Sequence, residues 1–201
     1  MELTRLEKQI RFVIEIDKLK TIYRRTYLIN DRRHENTAEH SWHIAVMAMI
    51  LAEYSNAPID IAKVLKMALV HDIVEIDAGD TFVYDTKGTL DKAERERAAA
   101  DRLFGLLPDD QAVEIRALWD EFEMRETPES RFAAALDRLI PQLHNYNTGG
   151  GSWKEHAITH DRVVARNRTM SEGSSQLWEW TQVMLEDAVA KGLLTKKADS
   201  I

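Results

Sequence analysis

Apolar residues recur every three or four positions through most of this 201-residue chain, and that spacing commits it to packing as helices. Residues 5–23 set Leu6, Ile10, Val13, Ile14, Ile16 and Leu19 among charges, so an amphipathic helix is expected there with its stripe seated on a core. The next helix carries a start signal. Asn36 can cap it and Glu39 stands three residues on, in the capping-box position, which puts His40 in the first turn. Pro58 opens a third helix, buried along Ile61, Val64, Leu65, Ala68 and Leu69, with His71 and Asp72 in its last turns. Gly79 marks the break, and Asp77 to Thr89 has turn residues without a period, so a long loop is expected. Such loops in compact domains are often functional. Further helical patterns cover about 90–105, 109–125, 129–144, 153–167 and 174–191, separated by Pro108, Pro128 and Gly149-Gly150-Gly151. Trp178 and Trp180 of the last helix, with Leu177, suit a dimer face or ordinary core, and core is the expectation. No run of β-branched residues suggests a strand and nothing repeats. The expected fold class is all-α, a single domain over 1–201 with a core at about 8–145 and a helical extension at about 150–201.

Composition narrows the partners. With 27 Lys+Arg against 34 Asp+Glu the net charge is -7, a field that repels a nucleic-acid polymer. No cysteine is present, which removes disulfides, thiolate metal sites and thiol nucleophiles together, so any metal must be held by His, Asp and Glu. The first twenty residues interleave charges with apolar residues and resemble neither a signal peptide nor a span. No later stretch approaches the ~18 uncharged apolar residues that crossing a membrane requires. A cytoplasmic protein without membrane attachment is the expectation.

Within that frame the chemistry centres on His71-Asp72, which ends a strongly apolar helix. An unpaired buried carboxylate is costly there, and a cation is one way to compensate it. The dipeptide alone is weak, because chance supplies about 0.6 His-Asp pairs in a chain of this composition. A twin stands at His160-Asp161 among polar neighbours, where it reads as solvated surface. Asp137 interrupts the apolar run FAAALDRLI and so needs a partner, and His40 offers an imidazole, with His43 as its main competitor on the same side of the helix. Neutral imidazole and carboxylate oxygen together suit first-row divalent ions. His34, His144 and His156 read as surface or supporting residues.

These residues resemble a family. EHSWHIAVMAM around His40, ALVHDIVEIDAGD from Ala68 to Asp80 and ALDRL around Asp137 are similar to the HD superfamily of metal-dependent phosphohydrolases, and more finely to its 5'-deoxynucleotidase branch. The resemblance implies a helical domain holding one divalent ion (Mn, Co, Mg, Ni, Fe or Zn) through His40, His71, Asp72 and Asp137, usually in a homodimer. It implies Glu75 as the catalytic acid-base residue and Asp80 as a carboxylate that contacts substrate and assists catalysis. Arg25, fifteen residues before His40, would orient the substrate phosphate, with His40 and Asp72 completing the substrate-facing set. Bacterial members often carry Trp after that arginine, where this chain has Thr26. The expected activity is hydrolysis of the phosphomonoester of (deoxy)nucleoside 5'-monophosphates by a metal-activated water. Two alternatives stand beside it. One is an HD phosphodiesterase or guanosine polyphosphate hydrolase, although the latter carry a Glu-Asp pair where this chain has Glu75-Ile76. The other is a non-catalytic, metal-stabilised helical interaction module.

Overall fold

The structure, a computed structural model, describes residues 2–85, 88 and 90–196. The expected loop over 77–89 therefore includes three residues, 86, 87 and 89, that lie outside the description, as do both ends of the expected 1–201 domain.

Eleven helices and one small hairpin are defined among the described residues. Helix α1 (Arg5–Glu15) starts at a capping box between Thr4 and Glu7 and passes into a 3-10 turn over Ile16–Thr21. The expected seating of its stripe fails: Leu6, Val13 and Ile14 are 66%, 58% and 66% exposed, while Phe12 and Ile16 only partly pack and Leu19 is buried. Spacing fixes which residues share a face but not what that face meets. Next come β1 (Tyr23–Tyr27) and β2 (His34–Asn36), an antiparallel pair with Tyr23 opposite Asn36 and Tyr27 opposite His34. This hairpin was absent from the sequence expectation because its strands are too short to show a period of two.

Asn36 then caps α2 (Thr37–Leu51) as expected, its side chain accepting from Glu39 N at 2.9 Å while Glu39 Oε2 accepts from Asn36 N at 3.1 Å. Helix α3 (Ile61–Val70) starts later than Pro58 suggested, because Asp60 is the residue whose side chain accepts from Ala62 N and Lys63 N. His71 caps its C-terminus, and tighter bonds such as Glu75 N to Asp72 O at 3.0 Å carry the chain into the single turn α4 (Glu75–Ala78). Gly79, at φ 73, then breaks the path.

The remaining helices are α5 (Lys92–Phe104), α6 (Asp109–Met124), α7 (Pro128–Asn147), α8 (Gly151–Glu155), α9 (His160–Asn167), α10 (Met170–Gly173) and α11 (Ser175–Ala190). Helix α7 is the central post. Phe132, Ala133, Leu136 and Ile140 are fully buried against Ile44, Val64, Met67 and Leu103 from α2, α3 and α5. Helix α10 rests on it so closely that a Cβ on Gly173 would lie 2.2 Å from the carbonyl oxygen of Arg131. A second cluster, built on Trp153, Val163 and Leu185, folds the C-terminal helices onto the far end of α7. Trp178 joins the main core, whereas Trp180 is 53% exposed, a correction to its expected burial. No described helix is long and apolar enough to cross a membrane.

Candidate metal centre

Two helix ends and the middle of a third helix meet around one point. The capping box sets His40 in the first turn of α2, where it is fully buried; His71 and Asp72 leave the end of α3; and Asp137 projects from the middle of α7. His40 Nε2 lies 2.9 Å from Asp137 Oδ1 and 3.9 Å from Asp72 Oδ2, and His71 Nε2 lies 3.2 Å from Asp72 Oδ2 and 3.9 Å from Asp137 Oδ1. All four residues that the sequence singled out as ligands are thus brought together. Pro141, four residues after Asp137, has no N–H to offer the Asp137 carbonyl, so α7 lacks one backbone bond at the site.

The donor set fits a divalent cation. His71 Nδ1 donates to the Ala68 carbonyl at 2.9 Å, leaving Nε2 buried without a hydrogen-bond partner and facing the two carboxylates. Trp119 Nε1 donates to the His71 carbonyl at 3.1 Å, and the ring rests on Phe122 at 4.8 Å between centroids, so the imidazole cannot swing away. Ligand atoms of His40, His71 and Asp72 lie within 4.8 Å of one another. Although burial favours the neutral ring, Asp72 and Asp137 hold the His71 imidazole well above its usual value, and a field that retains a proton there suits a cation that would displace it. Against the same burial, His71 and His40 keep Asp72 and Asp137 below the ordinary carboxylate range.

Around this core stand four more charged groups. Glu75 is 4% exposed and accepts from Thr37 Oγ1 at 2.9 Å. Burial and the neighbouring Asp72 push its carboxyl well up, and burial raises Asp80 as well. Arg24 Nη1 donates to Asp72 Oδ2 at 2.8 Å and lies 3.7 Å from Asp80 Oδ1 and 3.9 Å from Glu75 Oε1. Arg25, the arginine that the fifteen-residue spacing selects, is exposed at the rim of the same cavity. Strand alternation decides between them: on β1 the inner positions are Arg24 and the buried Thr26, and Arg25 falls on the other face. Nothing in the residue types YRRT distinguished the two arginines beforehand.

Glu35 was missed altogether. It is 1% exposed, with Oε2 at 3.3 Å from His40 Nδ1, 3.6 Å from His144 Nδ1 and 3.4 Å from Thr26 Oγ1. His43 turns toward this carboxylate rather than the centre: Glu35, His43 and His144 bring ligand atoms within 4.8 Å of one another. Burial keeps both of those imidazoles below their usual value even beside Glu35, so they are neutral near pH 7. His160-Asp161 lies elsewhere, His160 Nε2 pairing with Glu186 at 3.2 Å and Asp161 exposed.

The family model for the HD domain matches residues 16–178, a span that contains every residue of this cluster. The chain belongs to the HD domain family. Among solved structures, a predicted metal-dependent phosphohydrolase from Magnetospirillum magnetotacticum is 54% identical with a TM-score of 0.91, covering 95% of this chain and 96% of that one. This HD domain is also 30% identical over 144 residues to a 5'-deoxynucleotidase of Danio rerio, covering 70% of each chain. It is 30% identical over 140 residues to the 5'-deoxynucleotidase HDDC2 of Homo sapiens, 68% of this chain and 67% of that protein. The match of the HD domain model runs beyond residue 145 and takes in helices α8 to α10.

Proposed function

We propose that this HD domain is a divalent-metal-dependent phosphomonoesterase acting on nucleoside 5'-monophosphates, deoxynucleotides in the first place. The observation that carries the reading is the convergence of His40, His71, Asp72 and Asp137 on one point with Glu75 and Asp80 beside it. The names of the 5'-deoxynucleotidase relatives support the substrate class.

In this reading His40, His71, Asp72 and Asp137 hold one ion, with Mn, Co, Mg, Ni, Fe and Zn all suited to two imidazoles and two carboxylates. When bound, the ion supplies a Lewis acid that activates water and offsets charge on a phosphoryl oxygen. Glu75, held by Thr37, transfers the proton, as acid toward the leaving 5'-oxygen or base toward the attacking water. Asp80 contacts the substrate. Arg24 orients the phosphate from inside the cavity, with Arg25 contributing from its rim, and the guanidinium's planar donors match phosphate oxygens. Lining residues Phe82, Tyr84 and Trp153 offer rings for the nucleoside.

The apolar stripe of α1, with Ile10 49% and Ile14 66% exposed, supports a homodimer burying that face, which light scattering on the purified protein would test. A nucleotide substrate supports a cytoplasmic enzyme. The decisive assay is phosphate release from a panel of deoxynucleoside and ribonucleoside 5'-monophosphates with Mn²⁺, Co²⁺ or Mg²⁺. Turnover that chelation abolishes is expected; no release from any nucleotide with any of these ions would overturn the reading.

A further inference from the structure

The cavity that reaches the metal ligands is lined on its other side by Arg125, Arg138 and Arg166, and their surroundings are unusual for arginines in a protein of net charge -7. Among the described residues no ion pair within 4.0 Å joins any of the three to a carboxylate, although such pairs hold Arg5, Arg24, Arg33, Arg102 and Arg116. The Arg138 guanidinium is held by backbone instead. Arg138 Nη1 donates to the Arg166 carbonyl at 2.7 Å. Arg125, at the C-terminus of α6, sits in the left-handed region at φ 55, and its carbonyl accepts from Arg131 Nε at 3.0 Å. Arg125 Nε itself is buried without a hydrogen-bond partner, and so is the hydroxyl of Tyr84, another lining residue.

Three guanidiniums brought together with Asp137 nearby but no carboxylate paired to any of them repel one another, and part-burial raises that cost. A left-handed non-glycine residue adds strain of its own. An anion would offset the repulsion and give the Arg125 Nε a partner. Arg138 directly follows Asp137 on α7, so adjacent positions of one helix turn a metal ligand and a guanidinium into the same cavity.

We propose that Arg125, Arg138 and Arg166 form an anion subsite that holds a phosphate group of the substrate beside the metal centre. The inference rests on the phosphohydrolase reading for the identity of the anion, and it gives the C-terminal helices a role. Arg166 from α9 and Trp153 from α8 supply part of the cavity wall, so the chain after residue 145 completes the substrate site.

The test uses the full chain in two assays. Inorganic phosphate is titrated calorimetrically into chelator-treated protein at constant ionic strength, so that no metal contributes. Arg138→Met and Arg166→Met are each expected to bind phosphate about tenfold to a hundredfold more weakly than wild type, the loss typical of one charge-assisted hydrogen bond. Arg138→Lys should recover part of it. Arg166 is exposed, so its variant keeps the fold and carries the test even if the Arg138 variants do not. In the second assay, KM is measured for a deoxynucleoside 5'-monophosphate and for the corresponding 3',5'-bisphosphate. A rise for both substrates places the transferred phosphate in the subsite, and a rise for the bisphosphate alone places the second phosphate there. Arginine-dependent phosphate binding without turnover would support the subsite while overturning the phosphohydrolase reading. Equal phosphate binding by wild type and both methionine variants, with both KM values unchanged, would overturn the subsite.

Discussion

Glu35 Oε2 lies 3.3 Å from His40 Nδ1, at the ring nitrogen that does not face Asp137. A buried carboxylate in that position is placed to draw the Nδ1 proton and so free Nε2 for a cation, as carboxylates behind metal-bound imidazoles commonly do. Glu35→Gln is therefore expected to weaken Mn²⁺ affinity by about 10–100-fold, measured by competition with a fluorescent chelator, while Glu39→Gln, on the outer side of the same turn, is expected to leave it within error. Equal affinities for wild type and Glu35→Gln would remove Glu35 from the centre.

Glu75 stands beside the proposed ligands without being one of them, which allows its part in chemistry to be separated from binding. Glu75→Gln keeps the shape and the contact with Thr37, so metal affinity is expected to hold while kcat falls by about 10²–10⁴-fold, the usual contribution of a positioned proton donor or acceptor. Unchanged phosphatase activity would take Glu75 out of the mechanism.

Gly173 has no room for a side chain. Its missing Cβ would overlap the Arg131 carbonyl at 2.2 Å, and the opposing atom is main chain of the central helix. Gly173→Ala is expected to cost about 1–3 kcal/mol through overpacking, read as a lower melting temperature by calorimetry. Gly192→Ala is a useful contrast, since its Cβ would meet nothing within 4 Å and only its φ of 66 resists the change.

Helix α1 is tied to α6 by Arg5, whose Nη1 and Nη2 donate to Asp110 Oδ1 and Oδ2 at 2.7 and 2.8 Å. The Arg5 hydrogen bond pulls the Asp110 carboxyl down to about 2. A carboxyl depressed in the folded state stabilises above its unfolded value and loses that contribution as pH falls through the window from 3.8 to about 2. Carboxyl-carbon NMR titration is expected to place Asp110 at the low end of that window in wild type and near 3.8 in Arg5→Ala.

The four-residue cluster was legible in the sequence because His71-Asp72 and Asp137 violate their local patterns. His71-Asp72 ends an apolar helix, and Asp137 interrupts another. The Asn36–Glu39 capping box fixed the phase of α2, and with it the inward direction of His40. Other features carry no local signature. Glu35 looks like one acidic residue among many until β2 folds it beneath His40. Arg24 and Arg25 are indistinguishable by type, and only the hairpin assigns one to the interior. The stripe of α1 obeys helical spacing faithfully and still faces outward, because periodicity describes one partner of a contact and says nothing of the other.

Arg24 lies within 4 Å of Glu35, Asp72, Glu75, Asp80 and Asp137 at once. That position makes it an internal counterion, so the cavity carries fixed positive charge whether or not an ion is bound. A neutral residue there, as in Arg24→Met, would leave that charge to the ion alone, and binding a divalent cation would become part of the folding equilibrium. One guanidinium on a five-residue strand thus reduces the share of the cluster's negative charge that a bound ion has to offset.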